Sequence, residues 1–146
     1  SFLGEAHQAH LPVLARAHLL PGTNPNGFFV PPTIIGHVPP NAHLAREEVF
    51  GPVLAASPFS DEAEAVRLAN GTDYGLVAAL WTRDGARQLR IARAMRCGQV
   101  FVNGFGAAGG IELPFGGVKK SGHGREKGFE ALYEFTTTKT IVLNHG

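Results

Sequence analysis

Between Pro52 and Val102 short apolar runs alternate with amphipathic ones, and this alternation is what most restricts the folds open to the chain. Pro52 to Phe59 has the length and apolarity of a strand. Ser60 then reads as an N-cap with Asp61 and Glu62 in the first turn, and Ala65, Val66, Leu68 and Ala69 form a helical apolar face that stops at Asn70-Gly71. Leu76 to Trp81 predicts a second strand, and Asp84 caps a predicted helix carrying Leu89, Ile91, Ala92 and Met95. Val100 to Val102 predicts a third strand. Strands separated by helices of this length predict parallel pairing through right-handed crossovers, hence an α/β fold.

The flanks are less regular. Phe2 to His10 has helical spacing, and the apolar run Leu11 to Leu20 ends in the turn residues Pro21 to Asn26. Phe28 to Val38 reads as extended, with Pro31 and Pro32 confining it to an edge or irregular strand. Near the other end a helix is expected to run to Glu134, and Thr136 to Asn144 reads as a strand with no room for a further crossover. Such a strand needs a sheet elsewhere to satisfy its backbone.

Within Glu47-Glu48-Val49-Phe50-Gly51-Pro52-Val53 an acid and an aromatic stand two apart, before a Gly-Pro turn and the first strand. On an extended backbone Glu48 and Phe50 share a face. A carboxylate there can accept hydrogen bonds from vicinal hydroxyls while the ring walls a heteroaromatic, an arrangement suited to a nucleotide ribose and its base. A solvent-facing Glu beside a core Phe has the same spacing, and the residues alone leave both readings open.

Composition narrows the class. Of 146 residues, 44% are hydrophobic and 17% charged, and the net charge is +1, which argues against disorder, a nucleic-acid arm and a membrane span. A single cysteine forbids an internal disulfide and no secretory leader pattern opens the chain, so a reducing, cytoplasmic home is expected.

Two glycine-rich segments invite over-reading, and the histidines and the cysteine add little. Gly104 to Gly109 fits G-x-G-x-x-G after a predicted strand, with Glu126 downstream, yet no helix begins in the glycines as a pyrophosphate site requires. Gly116 to Gly122 lacks the Walker spacing. His7 and His10 lack a partner set at metal-ligand spacing, and Cys97 reads as a small buried hydrophobe.

Four ordered segments carry a resemblance: GFFVPPTIIGHV (Gly27 to Val38), REEVFGPVLAASPF (Arg46 to Phe59), ANGTDYGLVAALWTRD (Ala69 to Asp84), and the block from GQVFVNG through ELPFGGVKKSGHGREKGFEALYEFTTTKTIVL (Gly98 to Leu143). Together they resemble the C-terminal part of the NAD(P)-dependent aldehyde dehydrogenase superfamily. The resemblance implies part of a three-layer αβα catalytic domain with a mostly parallel sheet over residues 1–135, and an oligomerisation strand over 136–146.

It further implies that Glu48 binds the nicotinamide-ribose hydroxyls of NAD or NADP and that Phe50 lies against the nicotinamide side. Phe115 would face the aldehyde, with Phe105, Ile111 and Glu112 as further liners; Glu112 hints at a cationic or polar substrate. By the same resemblance Glu126, in SGHGRE, relays protons, whereas the residues alone also allow it to cap the following helix. The carbonyls of Lys119 and Gly122 match a monovalent-cation site, and the 137–143 strand joins a neighbouring subunit's sheet in a homo-oligomer. In the family a thiolate attacks the aldehyde, hydride passes to NAD(P)+ and a glutamate-activated water hydrolyses the thioester. The nucleophile, the general base and the dinucleotide fold precede the matched segments, and Cys97 does not stand at the nucleophile's position. The chain by itself is therefore expected to be inactive. A second reading is a non-catalytic fragment or interaction module that only oligomerises.

Overall fold

The computed structural model describes residues 1–106 and 110–146 and is mixed α/β, with parallel strands in two of its three sheets. It parts into two compact units, Ser1–Thr72 and Asp73–Gly146.

In the first unit, helix α1 (Phe2–Gln8) starts at Ser1, whose hydroxyl accepts the amide of Gly4. Strands β1 (Val13–Arg16), β2 (Thr33–Ile35) and β3 (Val53–Ala55) form one sheet, β2 lying antiparallel to β1 and parallel to β3. Of the extended segment expected over Phe28 to Val38 only β2 is a strand. The prolines before it donate no amide, and the carbonyl of Pro32 instead accepts from Ala17 at 2.9 Å.

Thr33 and Ile35 are buried and Ile34 half-buried, the alternation of a strand with one covered face. Ile35 packs with Ala6, Val38 and with Leu44 of helix α2 (His43–Arg46) to make the buried core. Helix α3 (Glu62–Ala69) is capped one residue later than expected: the Asp61 carboxylate accepts the Glu64 amide at 2.8 Å. Ser60 serves that cap from outside, its amide and hydroxyl both donating to the Glu64 carboxylate, at 2.9 and 2.7 Å. Those bonds hold the Glu64 carboxyl below its ordinary pKa.

In the second unit, β5 (Val77–Leu80) and β6 (Gln99–Val102) pair in parallel, and helix α4 (Gly85–Ala94) connects them, the βαβ unit the alternation calls for. Asp84 caps α4 as expected, accepting from Arg87 at 3.0 Å. A small antiparallel pair, β4 (Tyr74–Gly75) with β7 (Val118–Lys119), sets the entry and exit of the glycine-rich loops. Helix α5 (Ala131–Glu134) is a single turn, so the longer helix expected to begin near Glu126 is not formed. Residues 136–146 have no regular structure, so the strand expected there is not formed among the described residues.

No hydrophobic side chain of the second unit is buried among the described residues, and neither α3 nor α4 buries a residue. Trp81, Phe129, Phe135 and Val142 are all exposed. No described helix is long and apolar enough to cross a membrane.

Candidate active-site segments

The segment Glu48 to Phe50 leaves α2 and enters β3 through Gly51-Pro52, anchored by Val49, which packs against the buried core. The side chains on either side of Val49 are exposed, Phe50 at 88%. Glu48 has no hydrogen-bond or ion-pair partner among the described residues. Phe50 holds a left-handed backbone, φ 49°, so the simple extended alternation behind the shared-face expectation does not hold at that residue. A bulky residue there is an outlier that costs roughly 1–2 kcal/mol. Beside α2 a cleft of about 480 Å³ opens between Leu44, Ala55, Arg67, Leu68 and Thr72. Periodicity gave no sign of it, since its walls come from residues distant in sequence.

The other candidates lie in the second unit. Phe115 and Glu126 form an antiparallel bridge, amide to carbonyl at 2.6 and 2.7 Å, and the Gly128 amide donates to the Ile111 carbonyl at 2.7 Å. These bonds lay the 111–115 loop along 126–128 and bring Ile111, Glu112, Phe115 and Glu126 together. Helix capping by Glu126 is thereby excluded, because its backbone is engaged in the bridge and α5 starts at Ala131. The Glu126 side chain is exposed.

The loop's position depends on a glycine. A Cβ on Gly98 would overlap the Gly116 carbonyl oxygen, so only a bare backbone lets Pro114 to Gly117 cross the start of β6. Gln99 secures the same crossing through its side-chain amide, which donates to the Pro114 carbonyl at 3.0 Å. Phe105 tilts against Phe101 of β6 at 6.0 Å between ring centroids. The G-x-G-x-x-G motif lies partly outside the described residues, at 107–109.

Glu112 turns back on its own loop, where its carboxylate accepts the Gly110 amide at 3.1 Å; its own backbone and that of Gly110 hold its carboxyl below the ordinary range. The carbonyl of Lys119 accepts the Gly122 amide at 3.4 Å in the turn after β7, and Gly122 has φ 118°. Cys97 is half-buried, its thiol donating to the Gln99 carbonyl at 3.1 Å, and burial raises its pKa. A thiol so placed is a poor nucleophile at neutral pH.

The family model for the aldehyde dehydrogenase family matches residues 1–141, and the chain belongs to that family. It is 50% identical over 113 residues to the NADP/NAD-dependent aldehyde dehydrogenase PuuC of Escherichia coli, covering 77% of this chain and 23% of that protein. It is 40% identical over 143 residues to 2-aminomuconic semialdehyde dehydrogenase of Danio rerio, covering 98% and 29%. Among solved structures, a Burkholderia cenocepacia protein assigned to the aldehyde dehydrogenases superposes with TM-score 0.91 at 60% identity, over 99% of this chain and 30% of that one. A Mycobacterium tuberculosis aldehyde dehydrogenase solved with NAD+ superposes with TM-score 0.87 at 34% identity, over 99% and 29%. The chain thus spans about a quarter of the length of the curated relatives it matches.

Proposed function

We propose that these residues are the C-terminal portion of the catalytic domain of an enzyme that oxidises an aldehyde to a carboxylic acid with NAD(P)+. The observation that carries this reading is Glu48: an exposed carboxylate without a partner among the described residues, next to a core-anchored Val49 and an exposed Phe50 in a strained backbone. Such strain at a non-glycine residue is characteristic of ligand sites. The group fits a nicotinamide ribose, since two carboxylate oxygens can accept from two vicinal hydroxyls.

Bound NAD(P)+ supplies the hydride acceptor. Glu48 would accept the ribose hydroxyls and so orient the nicotinamide, and Phe50 would wall its side. Phe115 presents an apolar ring to the aldehyde, with Phe105 and Ile111 beside it. Glu126 passes protons to and from the general base; it does so under cover supplied by the rest of the protein, because a relay needs shielding from water to tune its affinity for protons. Glu112 pins the loop instead of wetting the tunnel wall. The carbonyls of Lys119 and Gly122 would be the groups to hold a monovalent cation, supplying two oxygen ligands.

The nucleophile and the general base come from outside these residues, which by themselves form no NAD(P)H, in a cytoplasmic enzyme. The half-buried apolar faces of α3, α4 and β5 and the exposed Leu89 pack against the remainder of the domain, with residues 1–135 as its end. Residues 137–143 become a strand on a neighbouring subunit, where the missing hydrogen bonds are supplied. Full-length protein incubated with short aldehydes and NAD+ or NADP+ should generate NAD(P)H fluorescence, whereas the 146-residue chain should not. NAD(P)H formation by the chain alone, or none by the full-length protein with any aldehyde, would overturn the proposal.

A further inference from the structure

The geometry points to Lys127 as a specificity-determining cation beside Phe115, favouring aldehydes that carry a carboxylate at their far end. This inference rests on the reading of Phe115 as a substrate-facing ring. Lys127 stands between two fixed points, the Glu126–Phe115 bridge and the Gly128–Ile111 hydrogen bond, so its backbone follows the candidate substrate loop. It is held in the left-handed region, φ 59°, where a long side chain is uncommon.

From there its ammonium lies 5.8 Å from the Phe115 ring centroid, at the outer range of a cation–π contact. The side chain is exposed, and no acid pairs with it among the described residues. The neighbouring acids Glu126 and Glu130 are exposed and make no ion pair with Lys127 among the described residues. The Glu112 carboxylate is bound to the Gly110 amide and shapes its own turn, which removes the main support for a cationic substrate. An extended aldehyde lying along the Phe115 face would bring a terminal carboxylate toward the Lys127 ammonium, while a terminal methyl gains nothing there.

The test compares 4-oxobutanoate with butanal, four-carbon aldehydes that differ in the terminal group, as substrates of the full-length enzyme. Lys127→Gln should lower kcat/KM for 4-oxobutanoate about fivefold, the factor that a screened charge contact of about 1 kcal/mol gives, and leave butanal unchanged. Lys127→Arg should retain the preference, and added salt should weaken it in the parent. An equal change with both aldehydes, or none with either, overturns the assignment of Lys127. Phe115→Leu reports separately on the underlying reading: altered kcat/KM with both aldehydes sustains a substrate-facing Phe115, and unaltered values with both remove it.

Discussion

Phe115 and Glu126 face one another across an antiparallel bridge whose two hydrogen bonds measure 2.6 and 2.7 Å. A ring expected to wall the aldehyde and an acid expected to handle protons are thereby fixed to each other through the main chain. Substituting the Glu126 side chain leaves that bridge in place. In the full-length enzyme Glu126→Gln should slow steady-state turnover by about tenfold or more while the first hydride transfer keeps its rate. A stopped-flow burst of NAD(P)H separates the two steps; a slowed burst would show that Glu126 acts by holding the loop.

Gly98 makes that arrangement possible. Because its Cβ would overlap the Gly116 carbonyl, Gly98→Ala should push the Pro114 to Gly117 loop off β6 and cost about 1–3 kcal/mol. Thermal unfolding of the full-length protein should show a lower Tm, together with a reduced kcat/KM.

Cys97 should be chemically quiet. Burial raises its pKa, so the thiolate is scarce at neutral pH and increases only as pH climbs through the raised value. Alkylation of the peptide containing Cys97, followed by mass spectrometry, should be slow at pH 7 and accelerate above the ordinary cysteine pKa near 8.5. Cys97→Ser should retain kcat.

The cap of α3 predicts a pH effect of known sign. The Ser60 bonds depress the Glu64 pKa on folding, so their stabilisation is present above the unfolded pKa and is lost as pH falls through the folded one. Ser60→Ala should lower the Tm at pH 7, and the difference from the parent should shrink as the pH drops below the ordinary glutamate pKa of about 4.3. A difference constant with pH would assign the Ser60 effect to something other than the Glu64 charge.

The unit β5–α4–β6 was legible because its signals are local: a strand-length apolar run, Asp84 as cap, and a helical stripe. The capping of α3 was misplaced by one residue because Ser60 and Asp61 are both competent caps, and the carboxylate takes the helix amide while the hydroxyl serves Glu64. The role of Glu126 was hidden for the opposite reason. Its partner Phe115 lies across an intervening glycine-rich turn, and nothing in the run Ser121 to Gly128 says that it pairs with a loop. The left-handed backbone of Phe50 was equally illegible, because local propensity argues against it and only the surrounding fold enforces it. The strand expected at 137–143 is not formed among the described residues, because β-propensity alone does not make a strand without a paired neighbour.

In the proposed enzyme Glu48 holds the nicotinamide ribose. The measurement that tests it most directly is single-turnover hydride transfer in the full-length enzyme, with the dissociation constant for NAD+ taken alongside. Glu48→Gln should slow hydride transfer by about tenfold to a hundredfold, the loss expected for a hydrogen bond to a charged acceptor, while cofactor affinity changes much less. Hydride transfer at the parent's rate in Glu48→Gln would remove Glu48 from that role.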